Sequence, residues 1–138
     1  MTKVGFTGTQ VGMSGDQAAS VSTLLLTFKG GERDEFHHGG CVGSDVQAAE
    51  LARTHGYLTV RHPGNMPSKQ DKRFVDDEVY MVMPNMARNH IIVDQVEMMI
   101  AAPKQSNEVL RSGTWSTIRY SHRVGKRIYV VQPDGLIV

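Results

Sequence analysis

Three times along this chain a short apolar run breaks at a glycine-bearing turn, and a helix-period segment follows. The turns are Gly8-Thr9-Gln10 with Gly12, Gly39-Gly40 through Gly43-Ser44-Asp45, and Ser112-Gly113-Thr114. This alternation constrains the fold more than any other feature. Strands that feed helices and then further strands cross over a parallel sheet, with right-handed connections.

The rest of the chain fills in that pattern. Val4–Thr7 reads as a first strand. Ser14 or Asp16 caps a helix whose Val21, Leu24, Leu25 and Phe28 form one apolar face, and Gly30-Gly31 stops it. Asp34–His38 is a weaker strand, followed by a helix carrying Val46, Ala49 and Ala52 and closed by Gly56. Tyr57–Arg61 is a third strand, rich in β-formers. Residues 63–78 are polar and lack a period, so they read as a long loop, a common place for a functional lid. Arg88–Asp94 reads as a helix after Pro84, and Val96–Ala102 as a buried strand. Trp115, Ile118 and Val124 lie on a helix closed by Gly125, and Arg127–Val131 is the last strand. The expected architecture is α/β: a Rossmann-like, doubly wound, mainly parallel five-stranded sheet with helices on both faces. Residues 1–138 form a single domain, and the ligand site is expected beyond the carboxyl ends of the strands.

Charge narrows the function. Fifteen Lys and Arg against fourteen Asp and Glu give a net charge of +1, which argues against a chain that binds nucleic acid mainly through phosphate neutralisation. Cys41 is the sole cysteine, so an internal disulfide and a Cys-rich zinc site are excluded. A free thiol and a start without a secretory leader predict a cytoplasmic protein. No apolar run approaches the roughly 20 residues of a membrane span.

The turns themselves suggest the chemistry. A helix N-terminus leaves N–H groups free and carries partial positive charge, so it favours anions. Glycine admits a ligand close to the backbone, and Ser or Thr adds a hydroxyl. The candidate ligand-binding residues are Gly8, Thr9, Gln10, Gly39, Gly40, Gly43, Ser44, Asp45, Arg88, Asn89, Ser112, Gly113 and Thr114. Arg88 is placed to reach a phosphate or a base. Asp45 holds a ribose hydroxyl or caps its helix. None of the turns is a Walker A loop or a complete G-x-G-x-x-G fingerprint. His37 and His38 are adjacent on a strand and point to opposite faces, so no metal site is expected; one imidazole is read as buried and one as facing the pocket. Cys41 sits at a helix start, which would lower a thiol pKa, but no base partner is evident. Trp115 is read as core. No cofactor is expected.

Four stretches together resemble the SLOG superfamily, the Rossmann-like group that unites the DNA-processing DprA (Smf) proteins with the LOG phosphoribohydrolases. They are Gly5-Phe6-Thr7-Gly8-Thr9-Gln10, His38-Gly39-Gly40-Cys41-Val42-Gly43-Ser44-Asp45, Arg88-Asn89-His90-Ile91-Ile92 and Arg111-Ser112-Gly113-Thr114-Trp115-Ser116-Thr117. The second is similar to the DprA S-G-x-A-x-G-I-D turn, the third to its R-N-R-x-I helix, and the fourth to its S-G-S/T turn. The resemblance implies a pocket for a nucleotide or nucleotide-derived ligand, in a sensor or sequestering domain that forms a homo-oligomer, most simply a dimer. It also implies an alternative: a LOG-like enzyme that cleaves the N-glycosidic bond of a nucleoside 5′-monophosphate. Arg88 matches the LOG catalytic Arg. The LOG Glu has no counterpart after Gly113-Thr114, so an enzyme would need Glu97, Asp94 or Asp45 instead. A DprA-like single-stranded DNA binder is the third reading. Its basic cluster would be Arg119, Arg123, Lys126 and Arg127, which otherwise reads as a solvated helix face.

Overall fold

A computed structural model describes residues 1–138. Six strands form one sheet: β1 (Lys3–Gly8), β2 (Glu35–His38), β3 (Leu58–Arg61), β4 (Glu78–Val79), β5 (Met98–Ala102) and β6 (Arg127–Val130). The spatial order is β4-β3-β2-β1-β5-β6, and every pairing is parallel. The doubly wound α/β fold is therefore as expected, with six strands instead of five. The added strand is β4, two residues long at the sheet edge. Its run is too short to carry a period, so the sequence pattern does not mark it.

Four helices cover the sheet: α1 (Gly15–Phe28), α2 (Ser44–Thr54), α3 (Asn85–Gln95) and α4 (Gly113–Arg123). Alternation along the strands sorts the two faces. Val4 and Phe6 of β1, with Ile100 and Ala102 of β5, pack against Val21, Leu24 and Leu25 of α1 and Ala48, Ala49 and Ala52 of α2. On the opposite face Met99 packs with Ile92 and Val93 of α3, and Ala101 with Ile118 of α4. Each fully buried aliphatic side chain contributes roughly 1.5–3 kcal/mol from burial. Trp115 packs on this second face, as expected. Helix α1 begins at a capping box: Ser14 Oγ accepts from Gln17 N at 3.0 Å, and Gln17 Oε1 accepts from Ser14 N at 3.1 Å. No helix is long and apolar enough to cross a membrane.

The stretch at 63–78 is a brace and not a lid. It contains a short 3-10 turn (Pro67–Lys69), and none of its residues lines the main cleft. Its Asp76 side chain is wholly buried between an imidazole and a guanidinium: Oδ1 is 2.5 Å from His38 Nε2, and Oδ2 is 2.6 Å from Arg61 Nε. Burial pushes the Asp76 carboxyl up, but His38 and Arg61 outweigh it and hold it below the usual range. His38 Nδ1 accepts the Gly40 N–H at 3.0 Å, so its proton sits on Nε2 and faces Asp76. Gln70 Nε2 donates to Gly39 O at 2.9 Å. The brace thus fixes the turn after β2.

Candidate functional site: a crevice between β1 and β5

The chain winds outward from β1 through β2 to β4, then returns to place β5 on the other side of β1. That reversal is the switch point of a doubly wound sheet. The loops leaving the carboxyl ends of β1 and β5 diverge there and leave a crevice. A cleft of about 350 Å³ occupies it. Its wall includes Gly8, Thr9 and Gln10 after β1, Gly39 and Asp45 around the start of α2, Arg88 and Asn89 on α3, and Ser112, Gly113 and Thr114 at the start of α4. Ten of the thirteen candidate residues therefore meet in one cavity.

Gly40, Gly43 and Ser44 do not line it. The buried Ser44 hydroxyl donates to Thr9 O at 2.5 Å, and Ser44 N donates to the same oxygen at 3.1 Å. Gly43 adopts φ +89°, and a Cβ there would collide with the Gln10 carbonyl group. These residues tie the β1 loop to the start of α2 and shape the cleft from behind.

The turn after β2 is more closed than its glycines suggest. Asp45 Oδ2 accepts the N–H of Gly39 at 3.1 Å and of Cys41 at 3.2 Å. Two donors expected to face a ligand are thus already taken by a carboxylate of the chain. Burial pushes the Asp45 carboxyl up; His38, Arg88 and the two N–H groups only partly oppose this. Asp45 is also the only carboxylate in the wall. Glu97 and Asp94, the other two carboxylates an enzyme might use, are absent from it. Asp94 accepts the Tyr120 hydroxyl at 2.8 Å, and Glu97 pairs its N–H with Lys3 O at the far end of the sheet.

Arg88 is only 5 % exposed. Its Nη1 donates to Gly39 O and to His62 O, each at 3.0 Å, and its Nε to Asn89 Oδ1 at 2.7 Å. Its Nη2 lies 3.8 Å from Cys41 Sγ. The guanidinium therefore holds the cleft wall together, and only part of Nη2 stays free for a ligand. A Cβ on Gly39 would strike this guanidinium, which explains the glycine. The Cys41 thiol is pushed up, first by burial and then by Asp45, with Arg88 opposing. The lowering expected from the helix start is reversed, chiefly because the thiol is buried, with Asp45 adding to the rise.

The start of α4 is different. Ser112 caps it, with Oγ accepting from Trp115 N at 3.2 Å. The N–H groups of Gly113 and Thr114 have no protein acceptor, and both residues line the cleft. Lys104 and Arg111 line the same end. Sequence reasoning omitted Lys104, Gln105, Val109 and Arg111 from the site. The available signal was their place in the loop after β5, beside the switch point. Phe6, Thr7, Cys41 and Ile92 complete the wall.

The histidines depart from expectation. His37 and His38 are both buried, and neither reaches the cleft. His37 Nδ1 pairs with His62 Nε2 at 2.8 Å, and His37 Nε2 with Glu35 Oε1 at 2.8 Å. Burial pushes both His37 and His62 down, the latter to about 3, with the adjacent imidazoles and Arg88 adding to the effect at His62. No group of His, Cys, Asp and Glu is arranged to hold a metal ion.

No protein-family model matches the chain, and no curated protein matches it. Solved structures do. The molybdenum cofactor binding protein of the phototrophic bacterium Rippkaea orientalis superposes with a TM-score of 0.65 at 23% identity, over 95% of this chain and 76% of that one. The molybdenum cofactor carrier protein of Chlamydomonas reinhardtii gives 0.65 at 15% identity, over 94% and 75%. The structural-genomics target TM1055 gives 0.64 at 14% identity, over 93% and 72%. At these identities the likeness establishes the Rossmann-like fold that this chain shares with them.

Proposed function

We propose that the β1/β5 crevice binds a nucleotide or nucleotide-derived small molecule, with its phosphate at the start of α4. The observation that carries this reading is the pair of free N–H groups at Gly113 and Thr114, flanked by the Thr114 hydroxyl, Arg111 and Lys104 in one cavity. The start of α2 already holds Asp45, so a phosphate belongs at α4 and a hydroxyl or amino donor at Asp45. Two of the similar structures are proteins named for the molybdenum cofactor, which places that cofactor among the ligands to assay.

Thermal unfolding with nucleoside monophosphates, diphosphates, cyclic nucleotides, ADP-ribose-type molecules and molybdenum cofactor tests the reading. A ligand at 100 times its Kd adds about 2.7 kcal/mol of stability, a rise of several degrees in Tm. Arg111→Ala weakens that ligand about tenfold without changing stability, because its side chain has no protein partner. No shift with any of these ligands overturns the reading.

A second reading rests on Asp45. Burial raises this carboxyl in the cleft wall above the ordinary carboxylate range, the direction a general acid for cleaving an N-glycosidic bond requires. Release of free base from a nucleoside monophosphate, lost in Asp45→Asn, supports it. Intact substrate after long incubation excludes it.

A further inference from the structure

Behind Arg88, away from the crevice, lies a second cavity of about 210 Å³ lined by His62, Tyr80, Met81, Met83 and Gln95, with Arg88 as the shared wall. One imidazole nitrogen in this region lacks a protein partner, and the chain's own hydrogen bonds dictate which kind it is. The Glu35 carboxylate can only accept, so the His37 proton that meets it sits on Nε2. His37 Nδ1 is then a lone pair, and it accepts the proton on His62 Nε2. That leaves His62 Nδ1 as a bare acceptor. No protein group donates to it, although His62 is only 3 % exposed. Trp115 Nε1 is the one buried side-chain nitrogen or oxygen without a partner, so His62 Nδ1 is open to the cavity, where water or a ligand can donate to it. Burial keeps both rings neutral, so His62 Nδ1 stays an acceptor.

We infer that this cavity is a second ligand site, and that it takes a small flat ring bearing a lactam or amide. The N–H of the ring donates to His62 Nδ1. Its carbonyl accepts from the Gln95 amide, which has no protein partner. The Tyr80 ring sits 4.4 Å from the His62 ring at an angle of 59°, and the thioethers of Met81 and Met83 suit an aromatic face. The volume is below the roughly 300–1,000 Å³ of drug-sized pockets, which favours one or two fused rings over a whole nucleotide. The inference is independent of what fills the β1/β5 crevice.

Uracil is the probe, and 1,3-dimethyluracil, which has the same ring but no N–H, is the control. The readout is the imidazole nitrogen spectrum of the intact protein with ¹⁵N-labelled histidine. Uracil is expected to move His62 Nδ1 in a saturable way, and dimethyluracil to leave it in place. AMP at any concentration does not compete. His62→Phe weakens uracil about tenfold, the loss of one hydrogen bond. If that variant does not fold, Gln95→Leu at an exposed position serves instead and weakens uracil about threefold. No movement of His62, equal movement by dimethyluracil, or displacement of uracil by AMP overturns the inference. Failure of nucleotide binding in the crevice leaves the uracil titration unaffected, so the two proposals fail separately.

Discussion

Arg88 Nη1 donates to the carbonyl oxygen of Gly39 at 3.0 Å, joining the first turn of α3 to the turn after β2 in the wall of the crevice. The same nitrogen also holds His62 O. Arg88→Met therefore strands two carbonyls. The expected loss of stability is about 2–4 kcal/mol in urea unfolding, because hydrogen bonds to a charged group contribute roughly 1.5–3 kcal/mol each and are not additive. Loss of ligand binding in this variant then reports a collapsed wall as much as a lost contact. An Arg88→Met protein as stable as the wild type sinks the structural role.

Two glycines at helix starts respond in opposite ways. Gly43→Ala puts a side chain at φ +89° against the Gln10 backbone, and costs about 2 kcal/mol or more. Gly113→Ala meets nothing within 4 Å and keeps stability within about 0.5 kcal/mol. If phosphate sits on the α4 start, the Gly113 variant still loses affinity in a titration, since the added methyl stands beside the free N–H groups. Unchanged affinity in Gly113→Ala moves the phosphate elsewhere.

The helix order, the parallel sheet and the edge that carries the cleft are legible in the sequence, because each rests on local signals. Ser14 or Asp16 marks a helix start, and Val21, Leu24 and Leu25 mark a buried stripe. The use of Arg88, Ser44 and Asp45 is not legible in the same way. Nothing local distinguishes a guanidinium that grips a ligand from one that grips two carbonyls 49 and 26 positions away in the chain. Nor does the turn at Gly39–Cys41 announce that Asp45 takes its donors. Residues 63–78 read as a lid because they lack a period. Their order comes from Asp76 meeting His38 and Arg61, contacts that only the folded chain makes.

Acid should weaken the fold through His62. Its pKa falls from the ordinary 6.5 to about 3 on folding, mainly through burial. The unfolded chain thus binds more protons between those values, and the contribution is full above pH 6.5 and lost as pH falls toward 3. Urea midpoints measured across this range should drop with acid, and the drop should be shallower in His62→Phe, whatever that variant's starting stability. An identical slope in both proteins removes His62 from the acid response.

Asp45 works with the opposite sign. Its folded pKa is raised above the ordinary carboxylate value of 3.8 by burial, so the native state holds the proton longer than the unfolded one. Stability from this group is greatest at low pH and declines as pH rises past 3.8 through the raised value. Asp45→Asn keeps an oxygen for the Gly39 and Cys41 N–H groups and removes the charge. It is expected to match or exceed the wild type at neutral pH and to lose that decline. A variant clearly less stable at pH 7 refutes this account and shows that the ionised carboxylate is needed.

Because the carboxylate of Asp45 fills one end of the crevice while the start of α4 stays open, the cavity has a direction. On the proposed reading it takes a phosphate at the α4 pole and a hydrogen-bond donor at the Asp45 pole. A molecule with a single terminal phosphate is then expected to enter in one orientation, and one phosphorylated at both ends to bind more weakly, so the two poles would sort ligands by where their charge lies.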